Sequence, residues 1–236
     1  MKLIAIDSSG LVATVAIATE DVQVAEYTVN HKKTHSQTLL PMLNEISRMT
    51  ELDLKTVDAI AIASGPGSFT GLRIGSATAK GLGLALDIPL VEIPTTDALA
   101  MNLWGSEGII CPIMDARRDQ VYTGFYEFDK EGELVVIRKS FAEYIDKVAD
   151  ALNGMGRKVT FLGDGVPVYR KAIEARMTVP FAFAPLHMSR QRAGALAALA
   201  VKRFKEGLTV TAADHKPDYL RASQAEQNMS STASSN

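Results

Sequence analysis

Residues 64–83 read Ser64-Gly65-Pro66-Gly67-Ser68-Phe69-Thr70-Gly71-Leu72-Arg73-Ile74-Gly75-Ser76-Ala77-Thr78-Ala79-Lys80-Gly81-Leu82-Gly83. The stretch opens as a tight Gly-Pro-Gly turn and continues as a predicted helix from about Phe69 to Leu86. Along it Gly71, Gly75, Ala79 and Gly83 recur every fourth residue, so one face carries almost no side chains. Each interior glycine costs a helix about 1 kcal/mol relative to alanine. Several in one helix call for a compensating gain, and close approach of another backbone is the usual one. That neighbour belongs either to this chain or to a partner.

Upstream, Leu3–Ile6 is a continuous apolar run closed by Asp7-Ser8-Ser9-Gly10, the pattern of a buried strand and its turn. Val12–Ala18 and Val22–Val29 are two further β-rich runs, which predicts an antiparallel meander. Thr34, with Gln37 three residues on, fits a capping box. The helix it would head carries a stripe of Leu39, Leu43 and Ile46. Val57–Ala63 predicts the strand that feeds the glycine turn, Pro89–Ile93 another strand, and Thr95–Leu103 a short helix.

Downstream, Ile109–Met114, Gln120–Phe128 and Glu133–Lys139 predict three strands, Ser140–Leu152 a helix and Lys158–Leu162 a strand. Pro167–Arg176 and Ser189–Lys205 predict helices. Both halves therefore begin βββ then α, one echoing the other. The expected division is an N-terminal lobe over 1–105, a C-terminal lobe over 106–222, and a polar, serine-rich, disordered tail over 223–236.

Composition narrows the function classes. Hydrophobic residues make up 47% and charged residues 22% of the 236, as in soluble globular proteins. Net charge is −2, without the basic surplus that unaided nucleic-acid binding calls for. One cysteine, Cys111, excludes a disulfide framework within the chain. No run approaches the ~20 apolar residues of a membrane span, and the first apolar run is too short for a signal peptide. A cytoplasmic location is expected.

The motifs that carry chemistry are few. Asp7 and Ser8, at a strand tip, are nucleotide-binding candidates, since a carboxylate followed by small hydroxyl residues can hold phosphate and magnesium. A plain hairpin turn favours the same residues. His31 and His35 stand four apart, but Lys32 and Lys33 between them repel a cation, so no metal site is expected. No Gly-x-Ser-x-Gly elbow occurs. Met114-Asp115-Ala116-Arg117-Arg118-Asp119 packs two carboxylates and two arginines into a turn. Its arginine forks could bind an anion or fix the hairpin through internal salt bridges.

Asp7-Ser8-Ser9, His35-Ser36-Gln37 with Leu39-Leu40-Pro41, the whole Gly65–Gly83 segment, Met114–Arg118 and Pro217-Asp218-Tyr219-Leu220-Arg221 fall in the order seen in the TsaB (YeaZ) family, which this chain resembles over nearly its whole length. The resemblance implies an α/β, actin-like ATPase (ASKHA, ribonuclease H-like) fold of two lobes with a reduced C-terminal lobe. It implies a part in making threonylcarbamoyladenosine beside the anticodon of tRNAs that read A-starting codons. There the chemistry belongs to TsaD, assisted by TsaE, and TsaB is the non-catalytic scaffold that also self-associates. TsaD-like enzymes carry a His-x-x-x-His metal pair where this chain has Val91-Glu92-Ile93-Pro94-Thr95-Thr96-Asp97-Ala98, so no catalytic residue and no metal are expected. The expected partners are TsaD, TsaE and a second copy of the chain, with tRNA met only through the complex. No cofactor of its own is expected, and ATP or ADP enters only at a subunit interface. The expected partner-binding residues are Leu39, Leu43 and Ile46 on the first helix and Gly71, Gly75, Ala79 and Gly83 on the glycine helix. The competing readings are an ATP-dependent kinase or ATPase of the same fold, and a metallopeptidase.

Overall fold

The computed structural model describes residues 1–31 and 34–220. Lys32, Lys33, Arg221 and the expected disordered tail lie outside the described residues.

The chain opens with β1 (Lys2–Asp7), β2 (Ala13–Thr19) and β3 (Gln23–Val29), then α1 (His35–Met49), β4 (Ala59–Gly65), α2 (Phe69–Leu86), β5 (Leu90–Pro94) and α3 (Thr95–Met101). The strands form one sheet in the order β3-β2-β1-β4-β5. β1 pairs antiparallel with β2 and parallel with β4. The second half repeats the plan with β6 (Ile109–Asp115), β7 (Gln120–Phe128), β8 (Leu134–Tyr144), α4 (Ile145–Met155), β9 (Val159–Leu162), α5 (Val166–Arg176) and β10 (Phe181–Phe183). Its sheet runs β10-β9-β6-β7-β8, the same order read from the other edge. This duplicated βββαβα plan, with a reduced second lobe, is the actin-like ATPase fold that the resemblance implies.

Strand alternation decides what covers each face. On β1 and β4, Ile4, Ile6, Ile60 and Ile62 point to the side of α1 and α2, where they meet Leu39, Met42, Leu43, Ile46 and Ala79. Leu3, Ala5, Ala59, Ala61 and Ala63 point the other way. That alanine-rich face accepts α6 (Ala193–Lys205) through Ala193, Leu196, Ala197 and Ala200. The sequence division had placed α6 in the C-terminal lobe. It crosses back instead, because its small-residue stripe fits the small-residue face of the first sheet. A strap follows it. Val210 and Leu90 exchange two backbone hydrogen bonds of 2.9 Å, and the Asp218 N–H reaches the Ser64 carbonyl at 2.7 Å.

α4 and α5 cover one face of the second sheet with Ile145, Val148, Leu152, Tyr169 and Ile173. Its other face meets α3, whose Leu99, Ala100 and Leu103 region packs on Ile110, Met114, Tyr126 and Leu162. α3 also presents Ala98 to the first sheet, so this short helix wedges the lobes apart and joins them.

Several predicted boundaries shift. β8 runs on to Tyr144 because Phe141 and Ala142 pair with Thr123 and Tyr122 of β7, so α4 starts at Ile145 and not Ser140. α6 starts at Ala193 rather than Ser189. Thr34 is the N-cap of α1 but its side chain makes no capping hydrogen bond; its hydroxyl meets that of Ser36.

Candidate functional site

The glycine helix faces inward. A Cβ on Gly71 would collide with the Ser8 carbonyl oxygen, and one on Gly75 with the Ser8 hydroxyl. A Cβ on Gly83 would stand 2.6 Å from Leu90 Cδ1 and 3.0 Å from Ala212 Cβ, and Ala79 is fully buried. The close neighbour that the glycines demanded is this chain's own β1 turn, β5 and strap. Leu39, Leu43 and Ile46 are likewise buried, packed on the first sheet. The seven residues expected to bind a partner are therefore core residues, because the stripe that reads as a sticky surface is the one that covers the chain's own sheet.

The opposite side of the same two helices is open. On α2 the exposed residues are Thr70, Arg73, Ala77, Gly81, Leu84 and Ala85, and on α1 they include Gln37, Leu40, Pro41 and Asn44. Leu40 is 55% and Leu84 64% exposed. A Cβ on Gly81 would meet nothing within 4 Å.

Between the lobes, the strand-tip candidates are sealed. Asp7 is fully buried. Its Oδ1 accepts the Ser9 N–H at 2.8 Å and the Ser9 hydroxyl at 2.6 Å. Its Oδ2 has no partner among the described residues. Burial pushes the Asp7 carboxyl up to about 6, against the lowering pull of the Ser9 hydrogen bonds. Ser8 donates its hydroxyl to the Gly71 carbonyl at 2.8 Å and so belongs to the α2 contact. Gly67 lies so close that a Cβ would collide with the Ser9 carbonyl, which already accepts the Ser68 N–H at 2.7 Å. The peptide Gly65–Pro66 in this turn is cis. Gln191, fully buried in the segment before α6, presses its amide against Gly10. His35 Nε2 meets the Gly10 carbonyl at 2.9 Å, while its Nδ1 is buried with no partner among the described residues.

The second lobe contributes Asp164 and Asp115. The Asp115 N–H donates to Asp164 Oδ1 at 3.3 Å, and burial raises the Asp164 carboxyl. Its charge also acts on Asp7. Among the described residues no group of three His, Cys, Asp or Glu side chains could hold a metal.

The head of α3, where a TsaD-like metal pair would stand, is a buried structural network. Thr95 and Thr96 are fully buried. The Thr96 hydroxyl meets the Tyr126 hydroxyl at 2.7 Å and the Ser140 hydroxyl at 2.5 Å. Tyr126 donates to Asp97 Oδ1 at 2.9 Å, and Arg203 of α6 stands 3.8 Å from the Asp97 carboxylate. Burial raises both the Asp97 carboxyl and the Tyr126 phenol. These groups tie α3, the second sheet and α6 to one another. The sequence had no signal for Gln191 or for this network, since their partners lie far along the chain.

Fold and site together define an actin-like two-lobed protein in which the carboxylate and hydroxyls at the tip of β1 are buried and bonded within the chain. The chain matches, over residues 24–229, the family model described as "TsaD: tRNA N6-adenosine threonylcarbamoyltransferase". It is 34% identical to the tRNA threonylcarbamoyladenosine biosynthesis protein TsaB of Bacillus subtilis (strain 168), covering 96% of both chains. It is 30% identical to the protein of the same name from Haemophilus influenzae, covering 94% of both. The solved structure of YeaZ from Pseudomonas aeruginosa superposes with a TM-score of 0.79 at 30% identity, over 93% of this chain and 99% of that one. The chain belongs to the TsaB (YeaZ) family, within the wider family that the matched model describes. No helix among the described residues is long and apolar enough to cross a membrane.

Proposed function

We propose that this chain is a non-catalytic subunit in the synthesis of threonylcarbamoyladenosine on tRNA, and that a TsaD-type transferase requires it. The observation that carries this reading is the burial of the groups at the tip of β1. Asp7 and Ser8 serve the chain's own packing, and Thr96 and Asp97 serve the contact between lobes. An ATP-dependent enzyme would need Asp7 and Ser8 open to a nucleotide, and a metallopeptidase would need ligands where the threonines stand.

The docking surface in this reading is the outer face of α1 and α2. Leu40, Pro41, Ala77, Gly81, Leu84 and Ala85 give it an apolar centre of mostly small residues, with Gln37, Asn44 and Arg73 around it. A second helix pair can approach such a face closely. The same face serves TsaD or a second copy of the chain, and TsaE and any interface nucleotide join the assembled complex.

The test is a threonylcarbamoyl-transfer assay with this chain, TsaD and TsaE of the same organism, each omitted in turn. Transfer is lost without this chain, and this chain alone transfers nothing. The D7N variant supports full transfer. Loss of transfer by D7N in a complex that still assembles would show that Asp7 takes part in the chemistry.

A further inference from the structure

The turn between β6 and β7 holds the most strained run of backbone among the described residues. Arg117, Arg118 and Asp119 follow one another at φ of 66°, 54° and 58°. Residues with side chains avoid this left-handed region, and arginine gains nothing there. Such strain persists only where the surroundings over-determine it, and it gathers at functional positions.

The surroundings are firm. Asp115 Oδ1 accepts the Arg117 N–H at 2.9 Å and the Tyr169 hydroxyl at 3.0 Å. The Ala116 N–H reaches the Gln120 carbonyl at 2.9 Å, the Gln120 N–H the Arg117 carbonyl at 3.1 Å, and the Ile145 N–H the Asp119 carbonyl at 3.1 Å. The backbone is clamped while both arginine side chains stay exposed. Among the described residues Arg118 pairs with no carboxylate, and Asp119 pairs with neither arginine. The Arg117 side chain is 78% exposed and meets Asp115 only at 3.6 Å. An exposed pair at that distance contributes little, so the guanidinium can turn to another anion. Glycine or asparagine would hold this turn with less strain, so stability does not account for two arginines.

We propose that Arg117 and Arg118 form a binding site for phosphate esters on the solvent side of this turn. Guanidinium forks take phosphate oxygens in bidentate pairs, and a clamped turn presents two of them side by side before the ligand arrives. With a net charge of −2, the chain offers a local contact and not a general affinity for nucleic acid. The phosphate belongs either to an RNA backbone or to a nucleotide.

The site is tested on the full chain alone, so the result stands whether or not the chain docks on a transferase. A labelled RNA stem-loop and ATP are each titrated into the wild-type chain and into R117N/R118N, from about 50 to 200 mM salt. Asparagine enters the left-handed region more readily than arginine, so the variant keeps the turn and removes both charges. Each phosphate contact adds about 0.7–0.9 to the slope of log affinity against log salt. The double variant is expected to lose about twice that slope toward the RNA and to bind its probe about tenfold more weakly at the lowest salt. Arg118→Gln, at the arginine that pairs with no carboxylate among the described residues, is expected to lose half of the slope with an unchanged thermal melt. An effect on RNA alone assigns an RNA backbone, and one on ATP alone a nucleotide. Equal affinity and slope in wild type and variants, or no binding of either probe by the wild type at the lowest salt, overturns the proposal.

Discussion

Gln191 lies against Gly10 with both polar atoms of its amide unpartnered among the described residues and its side chain fully buried. The segment before α6 thus stoppers the turn after β1 with a group that gains no hydrogen bond among the described residues. An unpartnered buried amide costs about 1–3 kcal/mol, while an apolar group of the same shape escapes that cost. Gln191→Met, which keeps the unbranched shape, is expected to hold or raise the melting temperature. A fall of more than about 4 °C in a thermal melt would show that the amide has a partner after all.

Asp7 makes stability depend on pH. Its carboxyl is pushed up to about 6, above the ordinary value of 3.8 that it takes in the unfolded chain. The folded state therefore holds the proton more tightly. Stability is highest below about pH 4 as far as this group is concerned, falls as pH rises through about 6, and carries the full penalty above it. That penalty is on the order of 3 kcal/mol. D7N removes it. Urea titrations at pH 5 and pH 8 should show a smaller loss of stability across that interval in D7N than in the wild type. The same loss in both would mean that Asp7 does not titrate there.

The glycines of α2 should separate into two classes. Gly71→Ala places a Cβ against the Ser8 backbone carbonyl, which cannot give way as a flexible side chain can. It is expected to destabilise by about 1–3 kcal/mol or more. Gly81→Ala meets open space and removes a helix-interior glycine, so it is expected to stabilise by about 0.5–1 kcal/mol. Denaturant midpoints of the two variants decide the matter, and equal effects would mean that the helix does not face this way.

Leu40 and Leu84 stand on the outer face proposed for docking. L40E/L84E places two charges there with no loss of core packing. The variant should keep its melting temperature and lose at least about tenfold in affinity for TsaD, as two apolar contacts and an unpaired charge predict. Calorimetry that shows unaltered affinity would move the docking surface elsewhere.

Much of the fold is readable in the residues. The Gly65-Pro66-Gly67-Ser68 turn marks the start of α2, and Phe69–Leu86 is where the periodicity puts it. The duplicated meander shows in the apolar runs of β1, β2, β6 and β7. Ser140–Tyr144 misleads because its composition suits a helix, while its pairing with β7 depends on residues some twenty positions away. Phe181–Phe183 is too short a strand to show any period. The site is harder. A stripe of small residues has the same spacing whether it meets a partner or the chain's own strand, so only the structure tells that Gly71 and Gly75 meet Ser8. Gln191 and Gly10 stand far apart in sequence, and nothing local in either announces the other.

α6 covers a sheet face built from the first strands of the chain. During synthesis that alanine-rich face stays bare until residues 193–205 have left the ribosome. The N-terminal lobe therefore cannot finish folding ahead of the rest, although it is made first. Contacts of such long sequence separation slow folding and lengthen exposure of the unpaired surface. A fragment ending near residue 105 would keep its strands and still lack the layer that keeps them soluble.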